Sequence, residues 1–282
     1  MLNKKLKEID KRFLNSYLFK KLNPRKARIY CVGTPKSGTH SIRQIFKNNL
    51  RASHEPERLA FIDAINQYQA QRLNEKQLVK YLRKRDRRLW LEVDSSFLNY
   101  FFLDQFIREM PDSKFILTIR DPYSWMDSWL NHELNVPMAE PLQAIFDQLS
   151  GKEQEKYAPE EKILEKLNLP SLKGLLQYWE KHNSQVISKV PGERLLVVRT
   201  DQITDRQDEI LKFAGVLNGT LPQKSSNSHA YKAKQKHHIL NKIDPNHLKK
   251  TVNEFCSPVV EAFFPEINVS TNNVLRFGKG TN

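Results

Sequence analysis

Residues 29–42 read Ile-Tyr-Cys-Val-Gly-Thr-Pro-Lys-Ser-Gly-Thr-His-Ser-Ile: an apolar run, a turn with glycines at 33 and 38, and the opening of a helix. A strand that passes through a glycine-bearing turn into a helix aims backbone N–H groups and the positive end of the helix dipole at one point, which suits an anion. A Walker A loop would place Lys-Ser/Thr directly after the second glycine. Here Gly38 is followed by Thr39 and His40, and the lysine, Lys36, comes before it. The local geometry is that of a phosphate loop, and the residue order is not that of an ordinary ATP site.

The rest of the chain repeats this alternation. Short apolar, β-branched runs predict strands at Ile29–Val32, up to about His54, at Leu89–Val93, at Lys114–Arg120 and at Arg194–Arg199. Helical spacing predicts helices over about 39–50, 59–88, 97–110, 124–134, 172–190, 205–217 and 245–264, with Trp125, Trp129 and Trp179 as core candidates. Strands alternating with helices predict an α/β fold with a central, mostly parallel β-sheet flanked by helices on both faces. The run Arg83–Arg88 reads as a solvated helix end. Residues 137–170 are charged and carry no strand pattern, which predicts a helical or mobile insertion, and the polar, basic residues 222–238 predict a flexible surface loop.

The net charge of +14 is local: residues 1–28 contribute +8 and residues 224–250 contribute +6, which leaves the remainder neutral. Residues 2–22 have the spacing of a basic amphipathic helix that docks on the core, with contact to a membrane surface as the less favoured alternative. The expected organisation is this N-terminal helix within residues 1–27 and a single α/β domain over 28–270. With two distant cysteines, Cys31 and Cys256, and no long apolar segment, a soluble cytoplasmic protein without a disulfide framework or zinc cluster is expected. Charge alone would also suit a nucleic-acid binder, but that function wants exposed aromatics interleaved with the basic residues. Here Trp125, Trp129 and Trp179 fall on predicted helices as core candidates, so no nucleic-acid partner is expected.

Pro35-Lys-Ser-Gly-Thr39 directly after a strand resembles the phosphate loop of the sulfotransferases that use 3′-phosphoadenosine 5′-phosphosulfate (PAPS). A second match lies after the strand Phe115–Ile119, where Arg120-Asp-Pro-Tyr-Ser-Trp-Met-Asp-Ser128 has the arginine and, eight residues on, the serine with which that family contacts the 3′-phosphate. Less specific likenesses are Leu195–Asp201, where a strand runs into an acidic turn, and Ser228–Lys236, which is similar to the basic loop of carbohydrate-type members. The Arg-Lys-Gly segment of the cytosolic aryl and steroid enzymes has no counterpart.

The resemblance implies a P-loop NTPase-like sulfotransferase fold, PAPS as co-substrate with 3′,5′-adenosine bisphosphate as product, and no metal. It places Lys36, Ser37, Gly38, Thr39, His40 and Ser41 around the 5′-phosphosulfate, Arg120 and Ser128 at the 3′-phosphate, and Lys232 and Lys234 in a closing basic loop. The catalytic base it implies is Glu55 or His54, past the second strand, unless Glu55 is held on the surface by Arg51 or Arg58. Glu92 and Asp94 are expected to help orient the acceptor or the base, and the remaining histidines to lie on the surface. The acceptor, a hydroxyl or amine of a glycan or small compound, leaves no readable code. A small-molecule kinase is the competing enzyme, and it lacks its Lys-Ser/Thr pair.

Overall fold

The computed structural model describes residues 17–136, 140–152, 156–216 and 235–269. In chain order these form α1 (Tyr17–Leu22), β1 (Ile29–Cys31), α2 (Thr39–Phe46), β2 (Ala52–His54), α3 (Arg58–Gln69), α4 (Glu75–Leu89), β3 (Val93–Ser95) and a 3-10 segment (Phe97–Phe102). They continue with α5 (Leu103–Glu109), β4 (Lys114–Ile119), α6 (Pro122–Asn135), α7 (Glu140–Ser150), α8 (Lys162–Lys166), α9 (Leu172–Lys189), β5 (Leu195–Arg199), α10 (Gln207–Phe213), α11 (Pro245–Phe263) and α12 (Pro265–Val269). The strands pair in the order β2-β3-β1-β4-β5, and every pairing is parallel.

Period-two alternation explains why both sheet faces are covered. Tyr30, Val32, Phe115, Leu117 and Ile119 point into a large core built with Trp125, Trp129, Trp179, α9 and α11. Ile29, Cys31, Val93, Ile116 and Val198 point the other way, against Ile42, Ile45 and Phe46 of α2 and Ile210 and Leu211 of α10. In β4 only Lys114 is not fully buried, as a central parallel strand requires. Both cysteines are free and buried.

Several elements depart from the sequence expectation for local reasons. The helix expected over 59–88 is two helices, because Gln71 takes a left-handed backbone (φ 56°) and Asn74 starts α4 with a capping box to Gln77. β3 begins at Val93 rather than Leu89, since the left-handed Trp90 (φ 50°) ends α4.

The charge run is a solvated helix end only in part: Arg83, Lys84 and Arg87 are exposed, and Arg85 and Asp86 turn inward. Arg85 is 2% exposed and its guanidinium lies 2.6 Å from Asp94, while Asp86 pairs with Arg25 at 2.8 Å. Asp94 therefore anchors α4 to β3. Glu92 accepts from the N–H groups of Lys26 (2.9 Å) and Arg51 (2.8 Å), so it fastens the start of the sheet. Neither carboxylate is placed to orient an acceptor. Removing one member of a buried pair leaves an uncompensated charge, so Arg85→Ala is expected to destabilise the fold by about 3–5 kcal/mol, read from urea denaturation. A loss within about 0.5 kcal/mol, the size of an ordinary surface substitution, would contradict this role.

Of the expected N-terminal helix only Tyr17–Leu22 lies within the described residues, and Leu18 and Leu22 there are 60% and 69% exposed. Among the described residues no helix is long and apolar enough to cross a membrane.

Candidate active site

In the strand order, β1 has β3 and β2 on one side and β4 and β5 on the other. The loop that leaves β1 therefore opens at the middle of the carboxyl edge, where sheets of this kind bind ligands. Its first glycine is required by packing. A Cβ on Gly33 would sit 2.0 Å from Thr118 Oγ1 and 2.7 Å from the Thr118 carbonyl, on the neighbouring strand β4. The second, Gly38, has φ 103° and serves as N-cap of α2 without a side-chain cap, so the helix terminus faces the cleft open to an acceptor from outside. Between them Lys36 is left-handed (φ 67°).

The loop is fixed from beneath. Trp125 Nε1–H donates to the Pro35 carbonyl at 2.8 Å, and Thr200 Oγ1–H donates to the Ser37 carbonyl. His182, buried in the core, donates from Nε2 to the Val32 carbonyl at 2.6 Å and accepts at Nδ1 from Tyr178 (3.2 Å). Burial pushes this ring down to about 4 and keeps it neutral. It is a structural histidine, not the surface one expected.

A cleft of about 450 Å³ lies over the loop, lined by Lys36, Gly38, Thr39, His40, Ser41, His54, Glu55, Arg120 and Ser128 among others. Most of the residues singled out from the sequence are thus brought together. Ser37 is the exception: it is fully buried, its amide and hydroxyl both donate to the Thr34 carbonyl (3.2 and 2.7 Å), and its Oγ meets Thr118 Oγ1 at 2.9 Å. It shapes the turn from inside. Lys232 and Lys234 lie outside the described residues. Just beyond them, the chain is fastened to α6 by Asn135 donating to the Gln235 carbonyl (2.8 Å) and by His237 N–H donating to Asn131 (2.7 Å).

Arg120 follows β4 directly. Asp121 then caps α6 by accepting from the Ser124 N–H at 2.9 Å, and Pro122 opens its first turn. The Arg120 guanidinium donates to Ser124 Oγ (2.9 Å) and to the Lys36 carbonyl (3.3 Å). Among the described residues neither Arg120 nor Lys36 makes an ion pair. Burial lowers the pKa of both, and in Lys36 the Arg120 charge lowers it further while Glu55 opposes. Two half-desolvated cations beside an uncapped helix terminus form a strongly anion-seeking site.

Glu55 and His54 sit past the tip of the edge strand β2. Glu55 has φ 48° and its N–H donates to the Ser95 carbonyl (3.0 Å), so the turn out of β2 is fixed by β3. Burial raises the Glu55 pKa, and Arg58, 3.6 Å away, and Lys36 pull it back down in part. The pairing with Arg58 and the place in the cleft therefore coexist. His54 Nε2 meets Thr39 Oγ1 at 3.2 Å and lies 3.9 Å from Glu55, and burial next to His40, Arg43 and Arg58 pushes its pKa down to about 4.

Sequence reasoning missed His132, Phe97, Leu142 and Phe146, which also line the cleft. His132 follows Ser128 by one turn of α6, and burial together with the Lys36 charge pushes its pKa down to about 4. Its signal was present as four-residue helical spacing from Ser124 through Ser128. The apolar three carried none, because a cleft wall and a core face read alike. Among the described residues no group of three or more His, Cys, Asp or Glu side chains could hold a metal ion.

The family model described as a sulfotransferase domain matches residues 28–217. Among solved structures, a sulfotransferase from Alicyclobacillus acidocaldarius is 15% identical, with 86% of this chain and 96% of that one covered at a TM-score of 0.48. The sulfotransferase domain of the curacin biosynthetic pathway is 15% identical (81% and 89% covered, TM-score 0.43), and that of the Synechococcus PCC 7002 olefin synthase is 12% identical (82% and 87%, TM-score 0.39). No curated protein matches the chain significantly by sequence.

Proposed function

This chain belongs to the sulfotransferase domain family, and from that premise we propose that its sulfuryl donor is PAPS and that it acts by direct in-line transfer to an acceptor hydroxyl. The observation that carries the donor assignment is the pair of cations, Lys36 and Arg120, that make no ion pair among the described residues and lie beside the terminus of α2, which has no side-chain cap. PAPS has anionic groups at both ends, and the residues fit them: the loop and Lys36 for the 5′-phosphosulfate, Arg120 and Ser128 for the 3′-phosphate. Lys232 and Lys234 would add charge from the segment that precedes Gln235.

In the reaction the bond between sulfur and the bridging oxygen breaks, its electron pair stays on the bisphosphate, and a new bond forms from sulfur to the acceptor oxygen. Charge grows on the bridging oxygen, and Lys36 offsets it without reorganisation. The acceptor proton passes to Glu55. His54, whose pKa is pushed down to about 4, holds Thr39 through its Nε2.

Calorimetric titration tests the donor assignment. The protein is expected to bind 3′,5′-adenosine bisphosphate more tightly than ATP, without a need for magnesium. Arg120→Ala is expected to weaken the bisphosphate by about 10- to 150-fold, the loss of a charge-assisted contact of roughly 1.5–3 kcal/mol. Tighter binding of ATP, or bisphosphate affinity untouched by Arg120→Ala, would overturn it.

A further inference from the structure

The sheet order divides the cleft into two ends. Arg120 follows β4 and Thr200 and Asp201 follow β5, on one side of the central loop, whereas His54 and Glu55 follow β2 and Phe97 follows β3, on the other. The donor assignment fills the first end. The second, on the Glu55 side, is where an acceptor must enter.

Beyond the reacting groups, the wall of that end is apolar. Phe97 and Phe146 meet edge to face with centroids 5.8 Å apart, Phe146 is backed by Trp129 at 4.6 Å, and Leu142 stands beside it on α7. The polar side chains that line the cleft beside this wall are His40, His54, Glu55, Arg58 and His132. The side chains of Phe97, Leu142 and Phe146 carry no polar atom that could pair with a ring of hydroxyls. A sugar laid against this wall would turn several of its hydroxyls toward groups that cannot pair with them, and each such unpaired group is costly.

Resting on the PAPS-dependent reading, we propose that the acceptor is a phenol, its ring packed against Phe97, Leu142 and Phe146 and its hydroxyl turned toward Glu55. Aromatic rings are favoured in edge-to-face surroundings of this kind. A phenol also ionises near a pKa of about 10, far below an alkyl alcohol, and suits the weak bases on offer. The glycan acceptor entertained from the sequence is not favoured.

The test uses the full chain with PAPS, and 1-naphthol and N-acetylglucosamine as the two probe acceptors, with bisphosphate binding measured alongside. The expected result is naphthyl sulfate formed with a kcat/KM at least about 10-fold above that for the sugar. Leu142→Glu, which puts a charge on the apolar wall, is expected to lower the naphthol value by about 10-fold or more and to leave bisphosphate affinity within about twofold. Preference for the sugar, absence of naphthol turnover in a protein that binds the bisphosphate, or a naphthol value unmoved by Leu142→Glu would overturn the acceptor assignment. Failure to bind the bisphosphate would instead overturn the donor reading, so the two failures are told apart.

Discussion

Lys36→Met is expected to lower the release of bisphosphate from PAPS by about 10²–10³-fold, the size of effect seen when one preorganised donor to a developing oxyanion is removed. Methionine keeps most of the side-chain length and volume, so the loss reports the charge. Lys36 also holds a left-handed backbone (φ 67°), and Lys36→Gly, which relieves that strain, is expected to be no more active. Because burial and Arg120 lower its pKa, the wild-type rate is expected to fall on the alkaline side at a pH below the ordinary lysine range. Single-turnover rates with saturating PAPS check both points. A decrease of less than about threefold in Lys36→Met would remove this residue from the chemistry.

Glu55→Gln is expected to lower the rate by about 10²–10⁴-fold, the range for loss of a general base. Glutamine keeps the shape and cannot take the proton. Burial raises the Glu55 pKa, and a base must be ionised to act, so the acid limb of the wild-type profile should lie above the ordinary carboxylate value of about 4.3. Arg58 pulls that pKa down, so in Arg58→Ala the limb should move to still higher pH. If His54 were the base, the limb would fall near its depressed value of about 4 and would persist in Glu55→Gln. Glu55 also raises the pKa of Lys36, so in Glu55→Gln the alkaline limb should move to lower pH. The pH dependence of kcat/KM in the three proteins distinguishes these cases.

Much of the donor end was legible in the sequence because its parts are local. Gly33 and Gly38 mark a turn between a strand and a helix, and Arg120 to Ser128 is one strand exit followed by two helical turns; both patterns are set by neighbours within ten residues. Ser37 shows where local reading fails even inside a motif. Its hydroxyl could have faced the anion or the core, and Thr118, 81 positions away, decided for the core.

The acceptor end was hardly legible. Phe97, His132 and the pair Leu142 and Phe146 belong to three separate elements, the 3-10 segment, α6 and α7, and only packing of α7 against the rest of the core brings them together in one cleft with Glu55. Arg85 and Asp94 likewise read as solvent-facing charge and as a candidate site residue, until the register of α4 over β3 buries them together. The sequence by itself thus determined the alternation of strands and helices, the anion loop and the spacing of its two cations, because backbone conformation and side-chain period are short-range properties. The tertiary structure alone decided which polar groups are committed internally, which face the cleft, and that its second wall is aromatic. Those outcomes depend on the strand order β2-β3-β1-β4-β5, which brings distant segments together and is not written in any one of them.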